Sequence, residues 1–145
     1  MPTATDVVAE NEAMAQRYGE AWNSQDLEAI ISAHAEDGIY QLHIGEQPFQ
    51  GREAIRTEFA RIIAQLPDIN FEPKRLLATE TGWTLESTMS GTLAKPGELD
   101  GEEVGAAGAQ IAVDCLDLIV VSDGAITEKH TYLDSVTLLR QAGGG

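Results

Sequence analysis

The segment from Ala109 to Leu133 reads AQIAVDCLDLIVVSDGAITEKHTYL. Its first half, Ala109 to Val121, is an apolar, β-branched run suited to an inner strand. Ser122-Asp123-Gly124 is a strong hairpin signal, and Ile126 to Leu133 supplies the returning strand. Asp114 and Asp117 stand three residues apart in the first strand. Side chains alternate along a strand, so the two acids point to opposite faces. One of them faces whatever packs on the sheet. An ionised, unpaired carboxyl is unfavourable there, so that acid is expected to be partnered or protonated.

Two more strands precede this hairpin, Ile69 to Thr79 and Trp83 to Leu93. Pro73 marks the first as an edge or irregular strand. In the second, Trp83, Leu85, Ser87 and Met89 share one face; Thr84, Glu86, Thr88 and Ser90 share the other. That polar face lines either solvent or a cavity, and composition does not decide which. Lys95-Pro96-Gly97 forms a turn, and the acidic, Gly-rich stretch Glu98 to Gly108 reads as a mobile, solvated hairpin loop.

The first third is helical. Val7, Met14, Tyr18, Ala21 and Trp22 recur at helical spacing until Asn23-Ser24 interrupts them. Ser24 is the expected N-cap of a second helix that carries Leu27, Ile30, Ile31 and His34 on one face. Asp37-Gly38 ends that helix, and Ile39 to Ile44 forms a short strand. Gly51 introduces a third helix with Ile55, Phe59, Ile62, Ile63 and Leu66 on its apolar face, stopped by Pro67. A short helix, Val136 to Arg140, precedes a glycine tail at 143–145. Helices first and strands later predict one α+β domain over 1–145, ordered from about residue 6 to 142, with helices on one face of a curved sheet.

Composition excludes several classes. The 145 residues include 24 acidic and 9 basic side chains, for a net charge of -15. Neither a nucleic-acid backbone nor an anionic membrane is an expected partner, since both demand clustered Lys and Arg. A hydrophobic content of 43% is too high for an acidic disordered chain. No apolar run approaches the ~20 residues of a membrane span, and residues 1–6 lack the pattern of a secretion signal. A soluble cytoplasmic domain is expected. The lone Cys115, in an apolar strand, reads as an inert buried thiol. His34, His43 and His130 are not at metal-ligand spacing, so neither metal nor cofactor is expected.

Several motifs together carry a family resemblance. They are Arg17-Tyr18; Trp22 to Ile30, reading WNSQDLEAI; Ala35-Glu36-Asp37-Gly38; and Gly51-Arg52-Glu53-Ala54-Ile55. Near the end stand Asp123-Gly124-Ala125-Ile126, Tyr132-Leu133-Asp134 and Leu138-Leu139-Arg140-Gln141. From about Val7 to Gln141 the chain resembles the nuclear transport factor two-like superfamily, and its ending resembles SnoaL-like proteins. The resemblance implies a cone-shaped, strongly curved mixed or antiparallel sheet that encloses a pocket with three helices from the N-terminal half. Relatives include ketosteroid isomerases, limonene-type epoxide hydrolases, polyketide cyclases, dehydratases and plain binding domains, so fold alone names no reaction.

Residue by residue, the isomerase's Tyr and protonated Asp fall on Tyr18 and Asp117, while its proton-shuttling Asp falls on Leu42. The epoxide hydrolase relay falls on Thr88, Glu86 and Thr131; Tyr40 matches one of its water-positioning residues. The resemblance turns Tyr18, His34, Tyr40, Leu42, Phe59, Thr84, Glu86, Thr88, Cys115, Asp117, Lys129, Thr131 and Leu133 toward the pocket. It implies Asp117 as general acid or oxyanion donor, Glu86 as base, unless Glu86 pairs with Lys129, and Tyr18 as supporting donor. Tyr40, Leu42, His34, Phe59, Thr88, Cys115, Lys129, Thr131 and Leu133 then bind substrate. Two carboxyls in one apolar pocket separate their pKa values into an acid and a base. The implied function is cofactor-independent cyclisation or isomerisation of a small polyketide-, terpenoid- or steroid-like molecule. Epoxide opening, shape-directed pericyclic closure and non-catalytic binding are the alternatives. Relatives usually dimerise through the outer sheet face, here Leu116, Leu118 and Val120, so a homodimer is expected, with His43 also facing outward.

Overall fold

The computed structural model describes residues 2–99 and 102–143. Helix α1, Ala4–Asn23, starts at a capping box in which Thr3 and Asp6 exchange hydrogen bonds. Its inner stripe is Asn11, Ala15, Tyr18 and Trp22, one helical turn apart. Ser24 closes α1 rather than opening the next helix. Asp26 caps α2, Leu27–Ser32, by accepting from the Ala29 amide at 3.1 Å.

His34, expected on α2, instead begins strand β1, His34–Leu42. Asp37-Gly38 is therefore an irregularity inside a strand, not a helix end. A side chain at Gly38 would meet the Ile126 carbonyl oxygen at 3.1 Å, so glycine permits the close approach of β1 to the last strand. After β2, Phe49–Gln50, comes α3, Arg52–Gln65, which buries Ile55, Glu58 and Phe59 and ends before Pro67 as expected.

Strands β3, Asn70–Thr79, and β4, Gly82–Thr92, match the sequence reading to within a residue. The stretch expected to be a loop contains a two-stranded ribbon, β5, Gly97–Leu99, and β6, Glu102–Val104. Its flanks are pinned: the Ala106 amide donates to the Ala142 carbonyl, and the Gly108 amide to that of Leu93. Asp100 and Gly101 lie outside the described residues, as do positions 144 and 145 of the glycine tail. Strands β7, Gln110–Ser122, and β8, Ala125–Leu133, form the expected hairpin. Asp123 and Gly124 both have positive φ, 51° and 76°, as its tight turn requires. Helix α4, Ser135–Gln141, completes the chain.

The six-stranded sheet has the order β2-β1-β8-β7-β4-β3, antiparallel except for the β1–β8 pair, which is parallel. Pro73 sits on the edge strand β3, beside a bulge. Along β7, Ile111, Val113, Cys115, Asp117 and Ile119 are buried, while Ala112, Asp114, Leu116 and Leu118 are exposed. The helices cover the buried face, making an α+β fold with the core between sheet and helices. Phe59 centres that core, edge-on to Trp22, Tyr40 and His34 at 4.9, 4.9 and 5.4 Å. Among the described residues no helix is long and apolar enough to cross a membrane.

Candidate active site

A cavity of about 150 Å³ lies between the sheet and α3 and α4. Tyr40, Leu42 and Leu133 contribute to its walls, as the resemblance implied. Its wall carries a compact, buried polar group built by the last hairpin. Asp117 on β7 and Thr131 on β8 are directly opposed across the ladder, and Lys129 lies two residues before Thr131 on the same face. All three are buried.

Thr131 Oγ1 donates to Asp117 Oδ1 at 2.5 Å, and Lys129 Nζ lies 3.8 Å from that same oxygen. The ammonium also rests over aromatic rings, 4.9 Å from the Tyr18 centroid and 5.3 Å from that of Trp22. Burial works against the Lys129 charge, but Asp117 and then Tyr18 more than offset it, so its pKa lies above the ordinary lysine value. Asp117 thus has the Lys129 ammonium as its partner, one of the two arrangements expected of a buried acid at this position.

Behind the pair, the Tyr18 hydroxyl lies 2.7 Å from His34 Nε2. Burial raises the Tyr18 pKa, with Lys129 pulling it back, and Tyr18 stays neutral. Burial also pushes His34 down to about 3, helped by Lys129 and Arg52, so His34 is a neutral imidazole at pH 7. Arg52 donates from Nε and Nη2 to the His34 carbonyl at 3.0 and 2.6 Å, which ties the start of β1 to α3. Cys115 is pushed up to about 12, first by burial and then by Asp117, so its thiol is inert, as expected. His34, Phe59 and Cys115 are buried in the core rather than set in the cavity wall.

Three expected pocket residues face the other way. Ser87 and Met89 of β4 point inward and are buried; Glu86 is exposed on the outer face, between the partly exposed Thr84 and Thr88. A slip of one residue in a strand exchanges its faces. Glu86 can therefore be neither the base in this cavity nor the partner of Lys129, which Asp117 already holds. Glu86→Gln should leave turnover within about twofold of wild type, as surface changes usually do. A parallel thermal melt separates any loss of folded protein from a loss of chemistry.

The second buried acid is one the sequence reading missed. Glu58 on α3 accepts from Arg61 Nε and Nη2, both at 2.7 Å. The Glu58–Arg61 spacing of three residues was the available signal. Arg61 in turn borders the cavity, as do Leu138 and Leu139 of α4, which the sequence reading placed on a short helix without turning them toward the pocket. His43 does face outward, 2.9 Å from His130 Nδ1 and stacked on Tyr132 at 4.2 Å. Among the described residues no group of three or more metal-ligating side chains forms a candidate metal site.

Comparison with known proteins places this geometry in context. Residues 15–129 match the family model for the SnoaL-like domain. No curated protein matches the chain. A protein of Jannaschia sp. CCS1, provisionally described as a SnoaL-like polyketide cyclase, superposes with a TM-score of 0.84 at 15% identity, covering 100% of this chain and 99% of that one. AclR of Streptomyces galilaeus, provisionally a hydroxylase, gives 0.77 at 23% identity over 95% and 98% of the two chains. IdmH of Streptomyces antibioticus, provisionally a polyketide cyclase, gives 0.72 at 26% identity over 92% and 98%. The chain belongs to the SnoaL-like domain family.

Proposed function

We propose that this chain is a cofactor-independent acid–base enzyme that closes or isomerises a small apolar polyketide- or terpenoid-like molecule. The observation that carries the reading is the buried Asp117–Lys129 pair in the wall of an otherwise largely apolar cavity. Such a pair is a weak source of stability, because desolvation offsets its attraction. It does set a base beside a cation in a low-dielectric site, where both act strongly on a reacting group.

Thr131 and Lys129 both engage Asp117 Oδ1, and among the described residues no hydrogen bond reaches Oδ2. Oδ2 is the atom assigned to take a proton from a carbon beside a substrate carbonyl. The C–H electron pair moves into the carbonyl, and the Lys129 ammonium stabilises the resulting enolate oxygen. In a ring closure, the enolate carbon bonds to a second carbonyl of the same molecule, whose oxygen takes the proton back from Asp117. In an isomerisation, Asp117 returns the proton to a different carbon. Both routes restore the carboxylate. The likeness to IdmH favours ring closure. A cavity near 150 Å³ matches the space that accepts a benzene-sized ring.

The test is deuterium wash-in from D2O, followed by NMR, into poly-β-ketone and β,γ-unsaturated ketone probes. Wild type should catalyse exchange and Asp117→Asn should not. Equal rates would remove the acid–base reading and leave shape-directed closure. We propose also that the protein is a homodimer through its outer sheet face, where Leu116, Leu118 and Tyr132 stay 41%, 43% and 43% exposed. Light scattering at micromolar concentration should give twice the 15.6 kDa chain mass; the single-chain mass would refute the dimer.

A further inference from the structure

Gly19 lies in the interior of α1, where glycine is less favourable than alanine. Neither usual reason for a helical glycine applies. Its φ is not positive, and a side chain there would meet nothing within 4 Å. Gly19 instead borders a chamber of about 20 Å³ between α1 and strands β3, β4, β7 and β8.

Five side chains with polar atoms border this chamber: Tyr18, Trp22, Trp83, Asp117 and Lys129. The Asp117–Lys129 pair borders the larger cavity as well, so the two spaces share that pair as a wall. A single water needs roughly 10–15 Å³ of such volume and two to four polar partners. The chamber is therefore too small for an organic ligand and large enough for one water. A second observation points the same way. Trp22 is 4% exposed, and its buried Nε1–H makes no well-formed hydrogen bond, having only a loose contact with the Tyr18 oxygen, an arrangement that desolvation penalises. A water in the chamber can accept from Trp22 Nε1 and Lys129 Nζ, and donate to the Asp117 carboxylate and the Tyr18 oxygen.

We propose that this chamber is a one-water binding site, entered past Gly19, that keeps the Asp117–Lys129 pair in proton exchange with solvent while the larger cavity is filled. Only its use during turnover rests on the enzyme reading; the site itself does not. With substrate in the larger cavity, water passing Gly19 reaches the pair by a separate route. A Cβ at position 19 meets nothing within 4 Å, so a long side chain there can lie over the chamber's entrance without crowding its neighbours.

The experiment is water-to-protein NOE spectroscopy on the free protein. The chain has two tryptophans, so only two indole N–H signals need assigning; Trp83 borders the chamber too, and the readout is taken at Trp22. Wild type should show a water cross-peak at the Trp22 indole proton, and Gly19→Ala should keep it. Gly19→Leu should abolish it and slow exchange of that proton with D2O by about tenfold or more. Both variants should melt at or above the wild-type temperature, because each improves helix propensity; Gly19→Met replaces Gly19→Leu if the latter fails to fold. No water cross-peak at Trp22 in wild type would overturn the site. So would a cross-peak and exchange rate unchanged in the Gly19→Leu variant. Neither readout uses a substrate, so failure of the water site is distinguishable from failure of the proposed catalysis.

Discussion

Replacing Asp117 by Asn lowers turnover by about 10²–10⁴-fold, the range a single positioned acid–base group supplies. Asn keeps the shape of Asp and can still accept from Thr131 Oγ1 through its amide oxygen. It has no basicity to offer the substrate. The loss should fall on kcat and leave KM nearly unchanged, since the apolar walls that hold the substrate are untouched. Rates are to be normalised to folded protein, because the substitution also strips Lys129 of its countercharge. A kcat within about threefold of wild type would sink the role of Asp117 as the base.

Replacing Lys129 by Met has the largest expected effect on stability, a loss of about 3–5 kcal/mol, because it leaves the Asp117 carboxylate buried without its cation. Combining it with Asp117→Asn should recover most of the loss, since a neutral, well-packed pair carries no desolvation penalty. Urea unfolding of wild type, both single variants and the double variant forms a cycle that checks this directly. The pH dependence has a definite sign. The Lys129 pKa is raised in the folded state, so its contribution is fully present below the ordinary lysine value of 10.5 and is lost as pH rises through the folded value. Lys129→Met should lack that alkaline loss. A double variant no more stable than Lys129→Met would show that lost packing, rather than stranded charge, explains the effect.

The elements of the fold were largely legible because each rests on a local pattern. The stripe from Tyr18 to Trp22, the stop at Pro67 and the Ser122-Asp123-Gly124 turn act within a few residues of themselves. Failures came where a distant partner decides. His34 lies on the apolar stripe of a helix, but hydrogen bonding between β1 and β8 claims it for the sheet. Ser24 and Asp26 are both competent caps, and the α1 terminus consumed the first. In β4, alternation separated Trp83, Leu85, Ser87 and Met89 from the polar set correctly. The resemblance then turned the wrong set inward, though the apolar content of the first set favoured burying it.

The site was legible in its members and not in its pairing. Asp117, Lys129, Thr131, Tyr40, Leu42 and Leu133 all line the cavity as expected. The pairing of Asp117 with Lys129, less than 4 Å away across the hairpin, is stated by no spacing rule. The acidic coat hid the matter further. Of the 24 acids, the informative buried pair is Asp117 and Glu58, and Glu86 belongs with the solvated majority.

The parallel pairing of β1 with β8 places Ile39 opposite Glu128, about ninety residues later in the chain. A ribosome makes β1 about ninety residues before its neighbour in the sheet. Closing so long a loop is entropically slow, and the aromatic faces of α1 and α3 lack their cover meanwhile. The nascent chain is thus prone to aggregate until β8 joins β1. Lys129 lies on β8, so the Asp117–Lys129 pair cannot form before that strand is made.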